Sequence, residues 1–484
     1  MRRQSISFPY IFFIIAVGLL TTLLSDSGVP ASDLRFPLLV FSLVIFIIFV
    51  FQTTETQLIF LMVVVASPTI LGLGSGLVPG LNLTTALQAF LALKLASNLV
   101  ARKNTPVQTH LALPLTFFLL VQILSYFNGF LSDGWSRYGT TVSYLVSGGV
   151  TGWILTSLRA ILFPWLLYNT VIYAKIDEKS VQRLINIFLA AVLVNAFSVV
   201  TDWFMHLFVA GANLPWNETV TRYRGFLQMD TVNYLLPMNI LIARVYASAV
   251  ENERGNFGYV LAIVLLALAA ISGLQRILIV AVILSLPLWI IIRGNIRKSF
   301  GLVAIALIFV FLFTATPIGD TLVSRYNTSY DSETGQIYSS SRLEATYPMG
   351  LAYWRENPLL GIGFGQMQLR FDLKMGLSDR SAVPHNVYLS WLAESGVIGL
   401  LAGLLFFIAV TLILRGLIKS KKSSAFVQDY AQSLLVSWII YMIILFFHDF
   451  LWVTVSFNVF ILSLSILLTL EKRQGELHNG ISSN

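Results

Sequence analysis

The chain reads as long apolar runs separated by short polar breaks, from Phe8 almost to its end. Each run approaches the ~20 residues an α-helix needs to cross a bilayer. In order they predict helices over 8–25, 36–51, 57–72, 82–100, 111–128, 153–174, 184–208, 227–249, 258–274, 276–292, 300–316, 386–414, 430–447 and 451–470, about fourteen in all. A transmembrane β-barrel would show ~10-residue segments of alternating polarity. These runs are continuous instead. The weakest are 57–72, broken by Pro68 and Gly72, and 227–249, which carries Asp230, Pro237 and Arg244. No internal repeat emerges. The expected fold is all-α, a polytopic transmembrane bundle of about 12–14 helices.

One polar stretch is far longer than the others, from about 317 to 385, just before the third-last helix. The expected layout is therefore helices 1–11 over 1–316, a large loop over 317–385, the last three helices over 386–470 and a tail over 471–484. Loops of this length are usually functional or disordered, and the aromatic residues of this one argue for folding back onto the membrane domain. Ser341-x-x-Glu344 resembles a capping box opening a short helix that Pro348 would kink or restart.

Composition agrees with the pattern. Of 484 residues, 56% are hydrophobic and 11% charged, against about 25% charged in a soluble domain. The net charge of +8 is the excess of Lys and Arg expected in cytoplasmic loops, so nucleic acid is not implied. Cysteine is absent, which excludes disulfides, thiolate nucleophiles and Cys-ligated metals. The opening M-R-R-Q and apolar run resemble a signal peptide without a small-residue cleavage site, hence a retained first helix.

Charge also sets an orientation. With a cytoplasmic N-terminus, every second loop is basic: Arg102 and Lys103, then Lys175, Lys179 and Arg183, then Arg254, then Arg293, Arg297 and Lys298, then Arg415 to Lys422, then Lys472 and Arg473. The opposite short loops are poorer in charge. Both termini are thus expected in the cytoplasm, with the 317–385 loop on the extracytoplasmic (periplasmic) face.

Three groups fall on that outer face. His385 precedes the twelfth predicted helix, with Asn386 available as N-cap. The helix dipole there disfavours imidazolium, leaving a neutral ring able to accept a hydroxyl proton. The plainer reading is an interfacial histidine bonded to its loop. Arg224 ends a polar loop, and Arg276 occupies the tight turn S-G-L-Q-R between two apolar runs. An arginine at a membrane boundary snorkels to headgroups or finds an anion, and its guanidinium matches phosphate oxygens with two parallel bonds. Convergence on one face favours the anion reading. Arg222 is either a helper or a solvated charge.

Lys94, Arg159, Asp202, Asp230, Arg244, Glu394 and Asp449 fall within predicted helices, where charges are functional suspects by default. Glu394 lies about 13 Å along the helix from His385, which favours helix packing or a hydrogen bond within the bundle over direct contact. The run G-I-G-F-G at 361–365 lacks the Gly-Lys-Ser/Thr ending of a phosphate loop and reads as a flexible loop or re-entrant turn. No H-E-x-x-H, D-x-D or Cys/His spacing offers a metal site, and no cofactor is expected.

Two motifs, W-R-E-N-P-L-L-G-I-G-F-G-Q from Trp354 and P-H-N-V-Y-L-S-W-L-A-E-S-G-V-I-G-L-L from Pro384, together with size and topology, resemble the O-antigen ligase and O-antigen polymerase family of bacterial inner membranes. Arg380, His385 and Gly396 match the ligases' spacing of a basic residue, a histidine and a glycine. Arg224 in R-Y-R-G-F and Arg276 in S-G-L-Q-R resemble the family's two periplasmic arginines.

The resemblance implies a metal-independent, inverting glycosyltransferase with a polyprenyl (undecaprenyl) diphosphate-linked glycan as donor. The acceptor would be another glycan or a lipid core, with membrane lipids and other polysaccharide-export proteins as further partners. It implies that His385 activates the acceptor hydroxyl while Arg224 and Arg276 hold the diphosphate. Arg222, Arg380, Asn386 and Glu394 are candidate supporting residues. The competing reading is a transporter of a lipid-linked glycan or another anionic substrate, which would more often show repeated halves and broken helices at the midplane.

Overall fold

The computed structural model describes residues 53–66, 83–101, 106–141, 149–174, 176–208, 231–250, 256–272, 276–293, 346–364, 366–367, 386–446 and 455–478. Every regular element among them is helical. In chain order they are α1 (Thr54–Val65), α2 (Leu83–Ala101), α3 (Ala112–Thr141), α4 (Gly149–Ile172) and α5 (Glu178–Phe208), then a 3-10 turn (Thr231–Tyr234) leading into α6 (Leu235–Val250). There follow α7 (Asn256–Ser272), α8 (Arg276–Arg293), α9 (Tyr347–Glu356), α10 (Val387–Lys419), α11 (Ala425–Ile444) and α12 (Val455–His478). Among the described residues, α3, α5, α10 and α11 are long and apolar enough to cross a membrane, and shorter apolar helices accompany them. The molecule is a multi-pass helical membrane protein. The predicted helices at 8–25, 36–51 and 300–316 lie outside the described residues.

The helices α1, α5 and α11 begin earlier than their apolar runs, because polar caps carry them into the preceding loop. Asp177 starts α5, its carboxylate accepting from Ser180 N at 2.8 Å. Ser424 starts α11 by accepting from Val427 N at 3.3 Å, and Thr53 starts α1. Within the long polar stretch, α9 opens with Pro348 in its first turn, where a missing N–H costs nothing. Ser341 and Glu344 lie outside the described residues.

The centre is aromatic. Trp391 and Trp438 are fully enclosed; Phe118 and Phe407 lie 5.4 and 5.3 Å from Trp391, and Phe460 stacks on Trp438 at 4.5 Å. Around it α10 packs between α3 and α11, with α6 and α8 on the far side of α11.

Contacts sort the helix ends onto two faces. At one face Arg183 bonds Glu55 at 2.8 Å, Arg293 pairs with Asp429, and Glu178 accepts from Ser424 and Gln474 at 2.9 and 2.8 Å. At the other, Val387 N donates to Leu445 O at 2.9 Å, and Asn233 Nδ2 donates to Ala66 O at 2.8 Å. The first face collects the starts of α1, α5 and α11 and the end of α8. The second collects the starts of α6 and α10 and the end of α11. This is the alternation that a membrane bundle requires.

Candidate functional site

α10 is not one continuous helix. At Gly396 the backbone takes φ 66° and ψ −166°, a region open essentially to glycine alone. An unbroken helix would bond Val397 N to Ala393 O and Ile398 N to Glu394 O. Both bonds are replaced by the turn that follows α9. Ile362 N and Gly363 N donate to the Ala393 and Glu394 carbonyls at 2.9 and 2.8 Å, while Val397 N and Ile398 N donate to Pro358 O and Leu359 O at 2.9 and 3.3 Å. Four backbone groups orphaned by the break are thereby satisfied, which matters where each loss costs several kcal/mol in a water-poor medium.

The approach is backbone against backbone. A Cβ on Gly396 would sit 2.2 Å from Leu359 O, and one on Gly363 would sit 2.1 Å from Gly129 Cα of α3. The glycine-rich run is thus a packed turn docked into a breach, with no phosphate-cradling geometry.

Side chains lock the turn from two directions. Asn128 Nδ2 donates to Gly361 O at 3.0 Å. Ser125 Oγ donates to Glu394 O at 2.8 Å and meets Ser395 Oγ at 3.0 Å, which also reaches Gln122 Oε1 at 3.0 Å. Glu394, 7% exposed, accepts from Met367 N at 3.2 Å. Gln366 is 1% exposed, and its Nε2 finds no hydrogen-bond partner among the described residues. Sequence reasoning missed Gln122, Ser125 and Asn128. Their signal was a polar stripe at three-residue spacing on an otherwise apolar run.

Above the breach, Asn386 caps α10 by accepting from Leu389 N at 3.0 Å. Tyr388 OH and Val387 N tie this end to Met442 O of α11 and to Leu445 O just past its end at 2.8 and 2.9 Å. The residue preceding this anchored cap is His385, which itself lies outside the described residues, as do Arg222, Arg224 and Arg380.

Arg276 is the first residue of α8. Because Arg293 at the other end of α8 meets Asp429 near the start of α11, the two helices run antiparallel. The start of α8 therefore lies on the face where α11 ends and α10 begins. The start of α6 reaches the same face, since Tyr441 OH donates to Val232 O at 3.5 Å and Asn239 Nδ2 to Ser437 Oγ at 3.0 Å. The chain enters that helix shortly after Arg224. One face thus gathers the Asn386 cap, the start of α8 and the entry to α6.

Among the described residues no cluster of His, Asp and Glu could hold a metal ion. Two other ionisable groups in helices have local partners among the described residues. Lys94 bonds Gln57, and Arg244 donates to Asn186 Oδ1 at 2.7 Å. The side chains of Arg159 and Asp202, and all of Asp230 and Asp449, lie outside the described residues.

Residues 261–404 match the family model described as O-antigen ligase. The matched stretch contains α8, α9, the docked turn, His385 and the breach of α10. No curated protein matches the chain. The resemblance drawn from the two motifs is thus met by an independent comparison. It supports a membrane protein with glycosyltransferase-type activity in O-antigen or polysaccharide assembly.

Proposed function

From the match to the O-antigen ligase family, we propose that the chain transfers a glycan from a polyprenyl diphosphate carrier to an acceptor hydroxyl. The reaction takes place at the periplasmic face of the bacterial inner membrane, with both termini in the cytoplasm. The observation that carries this reading is that the family match spans His385 and Arg276, while the starts of α8 and α10 share one face. Partners are the lipid-linked donor and a glycan or lipid-core acceptor.

The division of labour follows from the chemistry. His385, beside the cap of a helix whose dipole keeps the ring neutral, takes the proton of the attacking hydroxyl. The hydroxyl oxygen bonds to the anomeric carbon from the side opposite the diphosphate, inverting that centre. The departing diphosphate gains charge. Arg276 and Arg224, as bidentate guanidinium donors in a low-dielectric site, offset that charge without a metal. Arg222 and Arg380 add positive charge nearby, Asn386 fixes the helix start, and Glu394 holds the backbone of the docked turn.

The test is transfer in purified, lipid-reconstituted protein given a polyprenyl diphosphate-linked glycan and candidate acceptors, with a chelator present. His385→Ala should lose about 10²–10⁴-fold in rate. Full transfer in that variant overturns the assignment of the base. Arg276→Lys retains charge but loses the fork, so turnover should fall with little change in fold.

A further inference from the structure

The breach in α10 divides two environments. From Asn386 to Val397 no residue of α10 is exposed, since α3, α9, α11 and the docked turn enclose it. Directly below, exposed apolar side chains begin at Ile398 and continue through Leu401, Leu405 and Leu412 until the exposed Arg415. From Ile398 to Arg415 the helix rises about 26 Å at 1.5 Å per residue, close to the ~30 Å of a hydrocarbon core. α3 brings an exposed apolar stripe to the same place: it includes Leu120, Leu124 and Phe127, and the next residue, Asn128, binds the turn at Gly361. Lipid-facing side chains of two helices thus reach the level of the docked turn.

The turn presents an apolar tip at that level. Leu359 is 64% and Leu360 45% exposed. Their height is fixed by backbone bonds, because Leu359 O accepts from Ile398 N. Adjacent leucines held open within a polar stretch bury nothing in water, whereas beside a lipid-facing stripe they extend it.

We propose that the turn from Asn357 to Phe364 is a bilayer-dipping anchor whose Leu359–Leu360 tip enters the acyl-chain region of the leaflet on the candidate site's face. The occupant of this surface is lipid, given its continuity with the apolar stripes of α3 and α10. A consequence, which rests on the proposed function, is that the anchor sets the height of the site. The enclosed segment from Val387 to Val397 rises about 15 Å, so the Asn386 cap would stand above the headgroup plane.

The chain has no cysteine, so single cysteines can be spin-labelled without background. Leu359→Cys and Leu360→Cys are placed beside Leu405→Cys as the lipid reference and Glu356→Cys, exposed at the end of α9, as the water reference. The labelled full chain is reconstituted into phosphatidylcholine vesicles, and collisions with oxygen and with a water-soluble nickel chelate are compared. Labels at 359 and 360 should favour oxygen, as at 405. Labels as open to nickel as the one at 356, or closed to both reagents, overturn the anchor. The readout needs no glycan transfer, so it can fail while the proposed function stands, and the reverse.

Discussion

At the scale of single residues, the decisive positions are those where α10 is broken. Gly396→Ala would force a side chain into a conformation costing about 1–3 kcal/mol, before the contact with Leu359 O is relieved. We expect a large loss of folded protein in detergent, measured by thermal unfolding monitored by size-exclusion; a variant with the native midpoint would show that the break is not needed. Glu394 offers a finer probe. Glu394→Gln keeps an oxygen for Met367 N–H and should be mild. Glu394→Ala leaves that N–H, on a residue 1% exposed, unsatisfied, at about 1–3 kcal/mol. Equal midpoints for the two variants would mean the hydrogen bond carries no weight.

At the scale of elements, the bilayer made the sequence legible. A segment in lipid must close its own hydrogen bonds, so an apolar run of sufficient length is a helix, and the predicted runs over 82–100 and 276–292 nearly coincide with α2 and α8. The polar first turns were harder to read, because a cap such as Asp177 depends on one local hydrogen bond and not on hydropathy. The breach was harder still. Gly396 stood out only by its spacing from His385, since the turn that replaces its helical bonds lies over 30 positions upstream and is brought there by packing.

Asp177 makes the cap testable. Its side chain's hydrogen bond with Ser180, and then the backbone N–H of Ser180, hold the carboxyl below its usual range. A depressed carboxyl contributes stability above its unfolded value near ~3.9 and loses it as pH falls through the folded value. The thermal midpoint should therefore decline below about pH 4, and Asp177→Asn should flatten the part of that decline due to this residue. An unchanged slope would place the acid sensitivity elsewhere.

At the scale of the molecule, polar ties across α6, α8 and α11 decide how the candidate site's helices are held. Trp289 Nε1 donates to Asn239 Oδ1 at 2.9 Å, and Asn239 reaches on to Ser437. One turn further along α8, Arg293 pairs with Asp429 and lies 5.8 and 5.7 Å from the rings of Trp289 and Tyr246. This cluster sits at the end of α8 remote from Arg276, so it fixes the helix that presents the proposed phosphate clamp. Removing one member of such a partly buried pair strands the other charge, whereas replacing both with apolar groups is often nearly neutral. Arg293→Met should accordingly destabilise far more than the double variant Arg293→Met with Asp429→Leu. A thermal double-mutant cycle in detergent measures the difference. If the double variant loses the sum of the two single losses, Arg293 holds α8 through the two rings alone, and Asp429 is a bystander.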